Sequence, residues 1–280
     1  MNFWKRSATL QIGTRRYEIN SLEFKFKVEF SDDEQLSTAM IEVHNLSPQT
    51  RNEIRNGDTV IINAGYQNDI GAIFVGQIFD FSHEKSDVDW DTKIAATAAL
   101  DAWLNQSVNK TYTKDIRASA ILNDLLNLFG IEIGQFALVD NISYPRGKVC
   151  QGKLKDILRE IIVSDCKSRF MIKHDQIVIN DPQNGDNRGV VLTAANGLLQ
   201  SRGGGASLQP TKPNTTTQPR GNMDDKVVIE RACLLNYNIG AGDIITVRDS
   251  ALNGRFLVRK GTFEGSRTGS WKTTMEITPL

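Results

Sequence analysis

The chain has 280 residues, with 33 basic and 33 acidic side chains for a formal net charge of zero, an apolar fraction of 40% and a charged fraction of 24%. Charge balance argues against a general nucleic-acid binder, which carries a strongly basic surface, and the apolar content excludes disorder over the whole length, because enough apolar surface exists to offset chain entropy. No run approaches the ~18 apolar residues of a bilayer-spanning helix, so no membrane insertion is expected. Met1-Asn2-Phe3-Trp4-Lys5-Arg6 lacks the apolar run of a secretory signal.

The first part reads as strands. Ser7–Gly13 alternates polar and apolar residues, and Leu22–Phe30 alternates without a fault, placing Leu22, Phe24, Phe26, Val28 and Phe30 on one face. Ser31–Gln35 reads as a polar turn, and Ala39–Leu46 as the next strand. Ser47 and Pro48 predict one short helix, with Ser47 as its N-cap. Gly57-Asp58 then turns into a strand over Thr59–Tyr66. Ile73–Phe81 is a further strand, Lys85–Asp89 a polar hairpin tip, and Trp90–Ala98 the return.

The character changes near residue 101. Asp115–Phe129 has apolar residues at helical spacing, closed by Gly130. Leu154–Ile162 is a second amphipathic helix. Phe170–Lys173 and Gln176–Ile179 form a hairpin turning at His174-Asp175. Strand resumes at Gly189–Thr193. Residues 201–222, with three consecutive glycines and Pro210, Pro213 and Pro219, cannot build a core and read as a mobile loop. Strands return at Lys226–Leu235, Asp243–Arg248, Gly254–Glu264 and Trp271–Ile277, with turn chemistry at Gly240–Asp243 and Ser250–Gly254. The expected fold class is mainly β (α+β): two antiparallel barrels flanking a small α+β insert. The expected divisions are 1–100, 101–184 and 185–280. Both β regions share one grammar: apolar strand, G-D turn, strand.

Signatures of chemistry are mostly missing. There is no G-x-x-x-x-G-K-[ST], no H-E-x-x-H and no G-x-S-x-G. Gly203-Gly204-Gly205 has no helix after it and suits a flexible loop better than a phosphate cradle. Cys150, Cys166 and Cys233 form no ligand pair and suit free thiols in a reducing cytoplasm. His44 closes a strand, His83 starts a hairpin tip and His174 sits at a turn. A metal site would need two of them to converge with a carboxylate, so scattered surface histidines are expected. Asp165-Cys166 with His174 is the nearest approach to a nucleophile pair, but no orienting partner is evident, and a buried thiol at a helix end is expected. Asp32-Asp33-Glu34 and Asp87, Asp89 and Asp91 could supply a glycosidase carboxylate pair. Their settings are polar turns, with nothing apolar to raise one pKa. Phe24, Phe26, Phe30, Phe74, Phe79 and Phe81 could stack bases, yet without interleaved basic clusters they read as core. Lys25 and Lys27 lie on the opposite strand face. No catalytic, cofactor-binding or metal-binding residue is assigned.

The order of these features resembles the baseplate hub proteins of contractile-tailed bacteriophages and related injection systems. The phrases that carry the resemblance are the Leu22–Phe30 strand, Met40-Ile41-Glu42-Val43-His44-Asn45-Leu46-Ser47, Gly57-Asp58-Thr59-Val60-Ile61-Ile62-Asn63-Ala64-Gly65-Tyr66 and Ile73-Phe74-Val75-Gly76-Gln77-Ile78. Toward the C-terminus they are Ala232–Asn236, Gly240–Val247, Gly254–Val258 and Gly269–Thr273. The resemblance implies two tail-tube-like barrels and a structural, non-enzymatic role without cofactors. It implies a homotrimer whose three chains make a pseudo-hexameric ring, with a tail tube protein above, a spike protein below and other baseplate proteins around. DNA would be passing cargo only. The protein would sit in the virion, at the tail baseplate, after assembly in the host cytoplasm. Long strands such as Leu22–Phe30 and Ile73–Phe81 would leave edges for a neighbour to pair with, and Glu23, Lys25, Lys27 and Glu29 would face the lumen. The chain is short for a hub, and no spike, lysozyme or peptidase module is recognisable, so spike and wall-degrading activity are expected on other chains. Loop 201–222 would order on contact with such a partner. A siphophage-type distal tail or tail-tip protein is the nearest alternative. A carbohydrate-recognising barrel and a cell-wall hydrolase stand further off.

Overall fold

The computed structural model describes residues 5–32, 36–67, 69–98, 106–129, 132–173, 176–199, 228–250 and 252–280. The expected loop 201–222, the helix stop at Gly130 and the turn at His174-Asp175 lie outside them.

The first β region comprises β1 (Arg6–Ile12), β2 (Arg15–Glu18), β3 (Phe24–Ser31), β4 (Thr38–His44), the short helix α1 (Pro48–Glu53), β5 (Thr59–Tyr66), β6 (Asp69–Ser86) and β7 (Asp89–Thr97). Alternation dictates β3: Phe24, Phe26, Val28 and Phe30 point into the core, while Lys25, Lys27 and Glu29 are exposed. α1 starts where expected, with the Ser47 hydroxyl accepting the Thr50 N–H at 3.1 Å and Pro48 in the first turn.

The middle region comprises β8 (Ser107–Tyr112), β9 (Ile116–Arg117), α2 (Ala118–Phe129), β10 (Glu132–Phe136), β11 (Ser143–Tyr144), β12 (Lys148–Lys153), α3 (Leu154–Arg159), a π-helical turn over Glu160–Asp165, β13 (Arg169–Lys173) and β14 (Gln176–Asn180). α2 buries Ala118, Ile121, Leu122, Leu125 and Leu126 against Leu154, Leu158, Ile161 and Ile162 of the second helical segment. It starts three residues later than the periodicity suggested, because Ile116 and Arg117 pair with β11. The strands β8, β10 and β12 escaped the sequence reading. They are short, largely exposed and polar, so they carry no clean alternation.

The last region comprises β15 (Asp186–Leu192), β16 (Ile229–Leu234), β17 (Asp243–Arg248), β18 (Asn253–Ser266) and β19 (Trp271–Pro279). Its strands repeat the plan of the first region. β6 pairs first with β5, through Gln77, and then with β7, and its register slips between Ile78 and Asp80. β18 pairs likewise with β17 and then β19, and slips between Val258 and Lys260. The glycine of each G-D turn is left-handed, with φ of 91° at Gly57 and 75° at Gly242. Each donates its N–H to the residue beside the slip: Gly57 to the Ile78 carbonyl at 2.8 Å, and Gly242 to that of Val258 at 2.9 Å. β4 lies beside β7 as β16 lies beside β19. The shared grammar is thus a shared topology. The surroundings differ: β1 runs antiparallel to β5, whereas β15 runs parallel to β17.

The two β regions are joined by antiparallel pairing of β18 with β3, which makes one 12-stranded sheet among the described residues. Gly261 stands opposite Phe30, and Gly265 opposite Phe26. A Cβ at 261 would lie 2.5 Å from the Phe30 ring, and one at 265 would collide with the Phe26 ring. The glycines let each ring lie across the neighbouring strand, where Phe30 meets Phe263 at 4.7 Å and Phe26 meets Trp271 at 5.8 Å between centroids. This arrangement corrects the expectation of an open edge at Leu22–Phe30. β3 is paired on both sides within the chain, because an internal partner satisfies its backbone. β6 has a strand on just one side along nearly all its length among the described residues, β5 up to Gln77 and β7 beyond it.

Residues of both β regions share one hydrophobic core, and the middle region has its own. Buried charge ties the middle region to the rest. Arg169 on β13 meets Asp32, at the end of β3, at 3.3 Å, and Arg259 on β18 meets the same carboxylate at 2.7 Å. Lys173 reaches Asp243, which is 1% exposed, at 2.5 Å. Burial pushes the Asp243 carboxyl above its ordinary range against the pull of Lys173, and pulls the Arg169 guanidinium below its own against Asp32.

Gly265→Ala is expected to destabilise the chain by about 1–3 kcal/mol through overpacking at the junction, read as a lower urea midpoint. Lys173→Met leaves the Asp243 carboxylate short of its nearest cation and is expected to cost about 3–5 kcal/mol. Adding Asp243→Leu to it should recover most of that loss in the same measurement.

A charge-balanced sheet face as the candidate functional surface

Strand registers place one continuous face across seven strands, in the order β6, β7, β4, β3, β18, β19, β16. Four of these strands come from the first β region and three from the last. The inward positions of these strands build the core, so by the period of two their alternate residues must share the outer face. Lys25, Lys27 and Glu29 lie there on β3, Glu42 and His44 on β4, and Glu264 on β18. A groove of about 570 Å³ runs over the face, lined by Lys25, Met40, Phe81, Lys93 and Glu264 among others. Met40 is 60% exposed at its floor.

The face is electrically matched. Five of its lysines each meet a glutamate: Lys25 and Glu42 at 3.4 Å, Lys27 and Glu29 at 2.6 Å, Lys93 and Glu84 at 2.7 Å, Lys260 and Glu276 at 2.9 Å, and Lys272 and Glu264 at 3.3 Å. Exposed pairs of this kind add about 0–1 kcal/mol each, so their main effect is on the field rather than on stability. Asp80 and Glu230 border the grooves of the same face and tilt it toward negative.

The residues singled out in the sequence fall in different places. Lys25 and Lys27 are on the outer face as expected. Phe24, Phe26, Phe30 and Phe74 are buried, Phe81 packs partly buried against the core, and Phe79, at the β6 slip, is 44% exposed. Asp32 is not on a solvated turn: it is the nearly buried acceptor for Arg169 and Arg259. Asp33 and Glu34 lie outside the described residues, as do His174 and Gly203–Gly205. Asp87 turns the β6–β7 hairpin with φ of 53°. Asp89 accepts from Asn45 Nδ2 at 2.9 Å. Cys150, Cys166 and Cys233 are buried thiols. Burial pushes all three up, Cys233 to about 12, which opposes thiolate nucleophilicity. Asp165, the neighbour of Cys166, accepts from the Tyr144 hydroxyl at 2.5 Å.

Among the described residues, one grouping of possible metal ligands was unforeseen. His44 and Asp91 are cross-strand partners on β4 and β7, with Nδ1 to Oδ1 at 2.5 Å, and Glu42 stands two residues along the same face, 3.7 Å from His44 Nε2. No two histidines meet here; register, which no local pattern encodes, sets Asp91 opposite His44 over 47 residues.

No family model matches the sequence, and no curated protein does. Solved structures do. The chain shares the fold of phage tail proteins over nearly its whole length. The 43 kDa tail protein of prophage MuSo2 from Shewanella oneidensis matches with a TM-score of 0.71 at 10% identity, over 98% of this chain and 97% of that one. The tail protein from Neisseria meningitidis MC58 matches at 0.66 and 10% identity, over 98% and 97%. A component of the type VI secretion system of E. coli, described as structurally similar to the T4 bacteriophage tail proteins gp27 and gp5, matches at 0.59 and 12% identity, over 97% of this chain and 76% of that one.

Proposed function

We propose that this chain is a structural hub subunit of a phage tail or phage-like baseplate, in which three copies make a pseudo-hexameric ring between the tail tube and a central spike. The observation that carries the reading is the duplicated meander within one polypeptide, β5–β6–β7 and β17–β18–β19, with a single outer face running across both copies. Two like units per chain let a threefold assembly meet a sixfold tube on one side and a threefold spike on the other. The likeness to tail proteins over the full length supports the same reading. In this assembly the divisions are 1–100 and 185–280 for the two barrels, and 101–184 for the insert that stands outside the ring.

The free edge of β6 beyond Gln77 supplies the means of closure. Its unpaired backbone accepts a strand from the next copy, which extends the outer face around the ring and removes an aggregation-prone edge. The outer face then lines a channel. Phosphate contacts to lysine and arginine trap DNA by releasing its counterions. A wall whose lysines are already matched by glutamates offers few such contacts, so a duplex passes without being held. No step of this role needs a catalytic residue.

Cryo-electron microscopy of the particle that carries this chain is expected to show three copies on the axis between tube and spike. Six copies on the axis would favour the distal-tail alternative, and a peripheral position would overturn both. For the channel wall, the purified chain is expected not to retard duplex DNA in a gel-shift assay at physiological salt. The triple variant Glu29→Lys, Glu42→Lys and Glu264→Lys is expected to retard it, in a manner that fades as salt rises.

A further inference from the structure

We infer that His44, Glu42 and Asp91 form a binding site for a divalent transition-metal ion on the outer face of the sheet. Each offers one ligand atom, and these atoms lie within 4.8 Å of one another. The chemistry of the two histidine nitrogens is already divided. Asp91 Oδ1 stands 2.5 Å from Nδ1, where it accepts that N–H and fixes the tautomer. The other ring nitrogen, Nε2, then has a free lone pair, with Glu42 Oε1 3.7 Å away. A carboxylate on one nitrogen and a metal on the other is the arrangement in which histidine binds zinc, with the carboxylate orienting the ring and raising its basicity. The ion takes His44 Nε2 and Glu42 as ligands, and water completes its shell, since all three residues are only partly buried.

The site is held by the fold rather than by the ion. His44 and Glu42 alternate on one strand, and Asp91 is fixed opposite by backbone pairing. Just beyond, Asn45 is left-handed with φ of 54° and clamps the hairpin. Its N–H donates to the Trp90 carbonyl at 2.7 Å, its Oδ1 accepts the Trp90 N–H at 3.0 Å, and its Nδ2 donates to Asp89. Arg51 stacks on the Trp90 ring at 4.0 Å. Ligands on paired strands lose little freedom on binding. The surrounding charge is mixed: Glu84 is the cross-strand neighbour of Asp91 and engages Lys93, whereas Lys25 Nζ stands 3.4 Å from the same Glu42 Oε1 and must turn away when an ion binds. One imidazole nitrogen with carboxylate oxygen selects zinc or a similar first-row ion over magnesium, which prefers oxygen alone. The bound ion bridges two residues of β4 at the end of the face, while Asp91 of β7 holds the histidine ring. This assignment does not depend on the proposed hub role.

The test is isothermal titration of the full chain, stripped with chelator, with zinc chloride, with cobalt(II) absorption as a second probe of an imidazole ligand. Saturable heat is expected, unaffected by excess magnesium and lost in His44→Ala. Asp91→Asn is expected to weaken zinc about 10–100-fold by freeing the ring, and Glu42→Gln to weaken it as well. Circular dichroism in chelator establishes that each variant is folded, and Glu42→Gln, which changes little volume, carries the test should His44→Ala unfold. Absence of saturable heat in the parent chain, or undiminished heat in folded His44→Ala or Glu42→Gln, would overturn the site and leave His44 as a plain ion-pair partner. Unchanged affinity in Asp91→Asn would overturn the orienting role.

Discussion

The pairing of β3 with β18 is the constraint on which the rest depends. It joins segments more than 220 residues apart in sequence, and so requires that loop-closure entropy be offset by contacts made at the junction itself. Those contacts are aromatic. Phe26 and Phe30 lie over Gly265 and Gly261, and reach Trp271 and Phe263 beyond. The glycines weaken the strand as isolated chain, since glycine has most freedom to lose, but they let two large rings cover two strands at once. From this junction follow the single sheet, the shared core and an outer face without a seam.

Charge is used in two ways. On the outer face it is paired in water, where it adds little to stability and flattens the field. Inside, it is paired out of water at the joints with the middle region, through Asp32 and through Asp243. Buried pairs are weak evidence of net stability but are costly to break, so they fix how parts meet. Arg169 and Lys173 sit on one strand, β13, and each reaches a carboxylate of a different β region. Two ionic contacts thereby orient the insert, Met171 and Val178 pack into the shared core, and the rest of the insert keeps a core of its own. The reading of the chain as a ring-forming adaptor uses the first kind of charge for passage and the second for rigidity.

Much of the fold was legible in the residues because it is local. Alternation from Phe24 to Phe30 fixes which side chains are buried, whatever the strand pairs with, and Ser47-Pro48 fixes the start of α1. The repeated Gly-Asp turn was legible too, and its two copies make the same hydrogen bond to the same point of a bent strand. Partners were not legible. Nothing near Phe30 in sequence names Lys260–Ser266 as its neighbour, so β3 read as a possible edge when it is interior. Asp32 read as a solvated turn because both of its arginines are distant. The grouping of Glu42, His44 and Asp91 was hidden for the same reason, since register between β4 and β7 is a property of the assembled sheet. The sequence by itself determined the main strands of the two β regions, their buried faces and the duplicated plan, through side-chain periodicity and turn chemistry. Only the tertiary structure decided which strands meet and which charges pair, because those depend on contacts across long stretches of chain that no local pattern encodes.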